Sequence, residues 1–216
     1  TDLQKLTTAA VAKLDANALV GLSSTQAGAL LANQVQALTG TQVKGLTSAQ
    51  TVGLGTSQVD VLSASVLTQM TTGALQGLGT ASVGLLATDK LAVLNSSQVG
   101  ALTTAQVQAL TTQQAGVLAG AQVTGWNSAQ LSALSSNDVQ YLTSSTVQSL
   151  SSAALAGLTS SQVKQLQTVQ AQALTTQQAS GLTSDQTAYL NTTQASVLGS
   201  SVLSKLSSDA VAALST

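Results

Sequence analysis

A bulky apolar residue returns at every eighth position of this chain, from position 6 to position 214, without one change of phase. Leucine fills 25 of these 27 positions, and Met70 and Trp126 fill the other two. The beat accounts for all 216 residues, so the chain reads as 27 interchangeable structural units and a single repeat domain over 1–216. Self-similarity at a fixed short period is the mark of a stacked array, in which each unit completes its core only against its neighbours. Such a register leaves little room for a catalytic pocket and much for a scaffold.

The octad carries its own start signal. In Leu102-Thr103-Thr104-Ala105-Gln106-Val107, a hydroxyl residue is followed three positions later by Gln. This is the capping-box pattern: the Thr103 hydroxyl accepts from the Gln106 N–H, and the Gln106 amide reaches back to the Thr103 N–H. Leu102 and Val107 supply the hydrophobic staple that accompanies it. Ser, Thr, Asn or Asp occupies the cap in 20 of 27 octads, with Gly55, Gly79 and Gly199 as tolerated substitutes, so the pattern belongs to the array rather than to one unit. Six of the seven Asp (Asp2, Asp15, Asp89, Asp138, Asp185, Asp209) lie at the cap or in the first turn. Five of the six Lys (Lys5, Lys13, Lys44, Lys164, Lys205) lie in the second half of the octad. A helix dipole sorts charge in this way.

One continuous helix is excluded by arithmetic. Eight residues at about 100° each overshoot two turns by roughly 80°, so the Leu stripe would wander around every side of a straight rod. The helix must break once per octad, at the Leu-Ser/Thr-Ser/Thr step, where hydroxyl side chains favour caps over helix interiors. A helix of about six residues is far below the ~12–15 needed for independence in water, so stability must come from stacking. Each buried Leu or Val contributes on the order of 1.5–3 kcal/mol. The expected fold is therefore all-α, a solenoid of 27 capped mini-helices around a Leu/Val core. Ala and Gly near the octad end (Ala109, Gly45, Gly125, Gly181) should let coils approach closely. The alternative is a β-solenoid with two octads per coil. It is disfavoured because Leu and Val stand at odd separations and would face opposite sides of a strand.

Composition narrows function. The chain has no His, Cys, Glu or Arg, which removes the usual general bases, thiolate nucleophiles and phosphate forks. No catalytic, cofactor-binding or metal-ligating residue is assigned, and no enzyme activity is expected. With a net charge of −1 and lysines scattered singly, nothing provides the basic footprint that nucleic acid requires. No apolar run approaches the roughly 18–20 residues of a membrane span. Gly53-Leu54-Gly55 and Gly77-Leu78-Gly79 fall at the octad hinge and lack the rest of any phosphate-loop fingerprint. Asn95-Ser96-Ser97 and Asn191-Thr192-Thr193 are formal glycosylation sequons, but both Asn occupy the cap, and capping explains them. Trp126 reads as a core filler. Tyr141 and Tyr189 share one octad position and read as exposed cover for apolar surface.

Two longer patterns remain. Gln at the third helical position comes in three blocks of five octads, Gln26–Gln58, Gln98–Gln130 and Gln162–Gln194. Block duplication is the simpler explanation; a superhelix with one differing side is the other. Ser or Thr fills the first helical position in 22 of 27 octads, which would rank hydroxyls along a stack.

The unit Leu-Thr-Thr-Ala-Gln-Val-Gln-Ala-Leu-Thr-Thr at 102–112 resembles the tandem octapeptides of large bacterial secreted or surface exoproteins of adhesin-like type. That resemblance implies an extracellular or cell-surface scaffold, stalk or self-assembling filament subunit. Its partners would be copies of itself or other surface proteins. The alternative is a binding module whose ranked hydroxyls recognise ice, glycan or another regular surface.

Overall fold

The computed structural model describes residues 2–214. Among them the first octad forms a 3₁₀ turn, Asp2–Lys5, and each of the following 26 forms one α-helix of four to six residues. The helices run from α1 (Thr8–Ala12) to α26 (Ser208–Ala213), numbered in chain order, and no described residue lies in a strand. The protein is an all-α repeat solenoid, and the β alternative is set aside. Two compact units share the chain, Thr1–Ala109 and Leu110–Thr216.

The starts follow the local chemistry of the cap. Thr103 stands in extended conformation (φ −68°, ψ 159°) ahead of α13, Thr104–Gln108. Its hydroxyl accepts from the Gln106 N–H at 3.2 Å, and Gln106 Oε1 accepts from the Thr103 N–H at 2.9 Å. The return half of the box does not depend on a hydroxyl at the cap. Gln34, Gln58, Gln122 and Gln170 accept in the same way from the N–H of Leu31, Gly55, Ala119 and Gln167. These four octads, whose caps lack a hydroxyl, therefore still satisfy one backbone donor at the helix start.

The helices end without a left-handed cap. No described residue, glycine included, has positive φ. Where the chain leaves a six-residue helix the octad leucine is extended, as at Leu78 (φ −64°, ψ 137°), and the next cap continues so, as at Gly79 (φ −61°, ψ 148°). Two consecutive residues near polyproline II geometry turn the path and start the next unit.

Coils close after about three and a half octads. In the first unit, the Gln42 amide reaches residues 31 and 28 positions back, and Gln76 reaches Ala101, 25 ahead. In the second, the Gln162 amide reaches 31 and 28 back, and Lys164 lies over Tyr189 in the following coil. The central separation of 28 is three and a half times the octad, so within each unit successive coils are staggered by half an octad, and helices pack against the third helix before, as α6 does on α3 and α20 on α17.

In most octads three positions are buried, where the sequence pattern predicts two. Val107 and Leu102 are in the core as expected, and so is Gln106, 1% exposed. Fourteen of the fifteen Gln at this third helical position are buried, Gln26 being exposed. The octad pattern assigns these side chains to the cap, and the structure places them in the core as well. Trp126 is buried, as its place in the leucine series predicts.

Glycine near the octad end admits the neighbouring coil, as expected, but not everywhere. A Cβ on Gly84 would lie 2.6 Å from the Ala109 carbonyl oxygen, and one on Gly181 would lie 2.8 Å from the Ser152 carbonyl oxygen. At Gly45 the same atom meets only ordinary contacts, 3.4 Å from Val20 Cγ2 and 3.8 Å from Ala16 Cβ. With φ negative throughout the described residues, Gly84 and Gly181 are needed for space, not for backbone conformation.

Candidate functional site

The most organised chemistry within each unit is the row of buried glutamines, eleven of which work in two directions. While Gln106 Oε1 holds the cap of its own helix, its Nε2 donates to the carbonyl oxygens of Leu75 and Leu78, both at 2.8 Å, in the preceding coil. Leu75 belongs to α9, Thr72–Gly77, and Leu78 follows it. Both carbonyls stand at a helix C-terminus, where intrahelical donors run out; Leu75 also accepts from the Leu78 N–H at 3.1 Å, and Leu78 lies past the last helical residue. The same arrangement joins Gln34 to Leu3 and Leu6, Gln98 to Leu67 and Met70, Gln170 to Val139 and Leu142, and Gln194 to Val163 and Leu166. One amide therefore closes the start of one helix and the end of another in the coil before. Backbone–backbone bonds at turns and caps, by contrast, span only three or four residues. Among the described residues, polar contact between coils is made by side chains.

Other residues take the glutamine position in the intervening octads. Thr146 Oγ1 donates to the Leu118 carbonyl at 2.7 Å. Lys90 Nζ donates to the Asp60 carbonyl and lies 3.7 Å from Asp60 Oδ1. Lys90 is the one lysine of the sequence outside the second half of its octad, and the structure gives it this inter-coil role. Asp138 is buried there and accepts from the Ser135 hydroxyl at 2.5 Å. Core volume is shared between adjacent positions. Where the third residue is Gln the fourth is often small (Ala27, Thr51, Ala115, Ala171, Ala179, Thr187, Ala195), and where the third is Ala the fourth is Leu or Val, as in Ala74-Leu75 and Ala154-Leu155. A close-packed interior of constant width imposes that exchange.

The outer surface is neutral and rich in hydroxyls. Cap hydroxyls are mostly engaged with their own helices, and the residues after them are exposed or half-buried. Asn95 and Asn191 accept through Oδ1 from the N–H of Gln98 and Gln194, both at 2.9 Å, so capping accounts for both sequons. Tyr141 and Tyr189 are exposed, at 52% and 41%, and the Lys164 ammonium stands 4.6 Å from the Tyr189 ring centre. An open groove of about 390 Å³ runs along Gln148, Ser149, Ser151, Ser152, Thr175, Thr176 and Gln177. The apolar void beneath Leu155, Leu166 and Leu182 is only about 10 Å³. Among the described residues no cluster of three or more potential metal-ligating side chains forms, and no helix is long and apolar enough to cross a membrane.

Residues 86–112 match the model of the ALTTAQ repeat family. The matched stretch is 27 of 216 residues, and it includes the octad whose capping box and inter-coil amide are described above. No curated protein matches the chain. This is a repeat protein, similar over residues 86–112 to that family.

Proposed function

We propose that this chain is a non-enzymatic structural scaffold, a stalk, spacer or filament subunit of an extracellular or cell-surface protein of adhesin-like type. The observation that carries this reading is the self-contained character of the inter-coil bond. An octad needs only its own cap and the coil before it, so length can be added without altering any existing contact. Modular length suits a spacer. A neutral surface with six lysines and seven aspartates offers weak repulsion between neighbours, which favours association of like chains end to end or side by side. Sedimentation of the chain over a range of concentrations tests the assembly arm. Growth into larger species, with fibres in electron micrographs, is the expected result; a strictly monomeric species at every concentration would remove it.

The second reading, a binding module for ice or glycan, is favoured by one observation: Ser or Thr at the first helical position in 22 of 27 octads. The half-octad stagger weighs against a flat lattice, because equivalent positions return to register only every second coil. Thermal hysteresis of the protein solution separates the two, and the scaffold reading expects none.

A further inference from the structure

The amide bonds between coils are unevenly distributed, and we propose that this makes one plane of the first unit its built-in point of first opening. Below that plane, Gln34, Gln42, Gln50 and Gln58 donate to the carbonyls of Leu6, Leu14, Leu22 and Leu30. Above it, Gln98 and Gln106 donate to the carbonyls of Met70 and Leu78. Between them, the corresponding positions are Val66, Ala74, Ser82 and Lys90. The leucines one coil before these four are Leu38, Leu46, Leu54 and Leu62, all buried. No donor among the described residues reaches their carbonyl oxygens. The polar tie across the plane is Lys90, through Nζ to the Asp60 carbonyl and carboxylate.

The carbonyl of a buried residue with no protein donor is better hydrated with the coils apart, so each of the four favours separation of the coils. A repeat array divides into local units whose interfaces set where it opens. The plane lies between helices α4–α7 (residues 32–60) and α8–α11 (residues 64–92). Its opening would release chain locally while the amide-bonded planes on either side stay closed. The array thus gives way at a fixed site rather than at random, the behaviour of a tether with a designated extension point.

Native-state hydrogen exchange on the full chain tests this, read at the amides of Val59, Leu67 and Leu75 against those of Ala27, Val99 and Val107. The first set is expected to exchange about tenfold faster or more, the ratio that two hydrogen bonds of ordinary net strength supply. Ser82→Gln places the missing amide opposite Leu54, beside a Val83 that matches the natural Gln-Val pairs, and is expected to slow the first set about tenfold. It should leave Ala27 and Val107 unchanged. If that variant does not fold, Ala74→Gln with Leu75→Val makes the same addition opposite Leu46. Equal exchange of the two sets, or a folded variant whose added amide leaves the first set unprotected, would overturn the proposal.

Discussion

Gly53→Ala is expected to cost the first unit about 3 kcal/mol, near the upper end for overpacking, because the new methyl has nowhere to go. Gly53 follows α6 (Ser48–Thr51), and a Cβ there would overlap the carbonyl of Ser24 in α3 (Ser24–Gly28). Gly28 faces the Gly53 carbonyl in the same manner, so the two helices approach through paired bare backbones. Relief would require the coils to part, which removes apolar contact along the whole interface. Gly73 provides the control. It lies inside α9 with nothing within 4 Å of its added Cβ, so Gly73→Ala should stabilise by about 0.5–1 kcal/mol through helix propensity alone. Urea unfolding of the three proteins decides the matter. Opposite shifts of the midpoint are expected, and a neutral Gly53→Ala would show that the coils do not touch there.

Gln106→Leu is expected to destabilise by about 3 kcal/mol, although the substitute is apolar and similar in size. The change strips a donor from the Leu75 and Leu78 carbonyls and an acceptor from the Thr103 N–H. Unmet buried groups cost more than the made bonds contribute, so greater hydrophobicity does not compensate. The shared volume of adjacent core positions gives a second arm. Gln106→Ala opens space and Val107→Leu overfills it, whereas together they reproduce the natural pair Ala74-Leu75. The double variant should be at least ~1 kcal/mol more stable than the sum of the single changes. Additive behaviour would mean that the two side chains do not compete for one space.

These expectations mark the boundary between what local pattern reveals and what it conceals. The helix start is legible because its partners lie within four residues: Thr103, Gln106 and Val107 announce their contacts by spacing alone. The exposed Tyr141 and Tyr189 and the buried Trp126 follow from octad position. Burial of the glutamines does not, because the amide has two ends. The Oε1 partner is three positions away and visible in the pattern, while the Nε2 partners lie in the preceding coil, at a separation set by coil closure. That closure is a tertiary property, since three and a half octads is not a whole number of repeats and leaves no periodicity of its own in the sequence. A trace is nonetheless present. Ala27, Thr51, Ala115, Ala171, Ala179, Thr187 and Ala195 all follow a Gln, and a small residue in a core position beside a polar one signals that the polar side chain is filling the core. The three glutamine blocks, which suggest duplication or a differing side, correspond in the first unit to inter-coil planes with and without amide bonds. Lys90 stands out in the sequence only as an exception to charge order, and its contact with Asp60 explains the exception.

The chain has no cysteine, so a pair of introduced thiols reports coil closure without competition. Ala16 and Gly45 lie in successive coils, with 3.8 Å between the Ala16 Cβ and a Cβ placed on Gly45. That distance matches the mean Cβ separation of a disulfide, about 3.8 Å. The double variant Ala16→Cys, Gly45→Cys should oxidise to an intramolecular disulfide in the folded protein. Ala16→Cys with Ala32→Cys, the pair that a two-octad coil would juxtapose, should keep both thiols. Closure of the second pair and not the first would contradict a solenoid that turns once in three and a half octads.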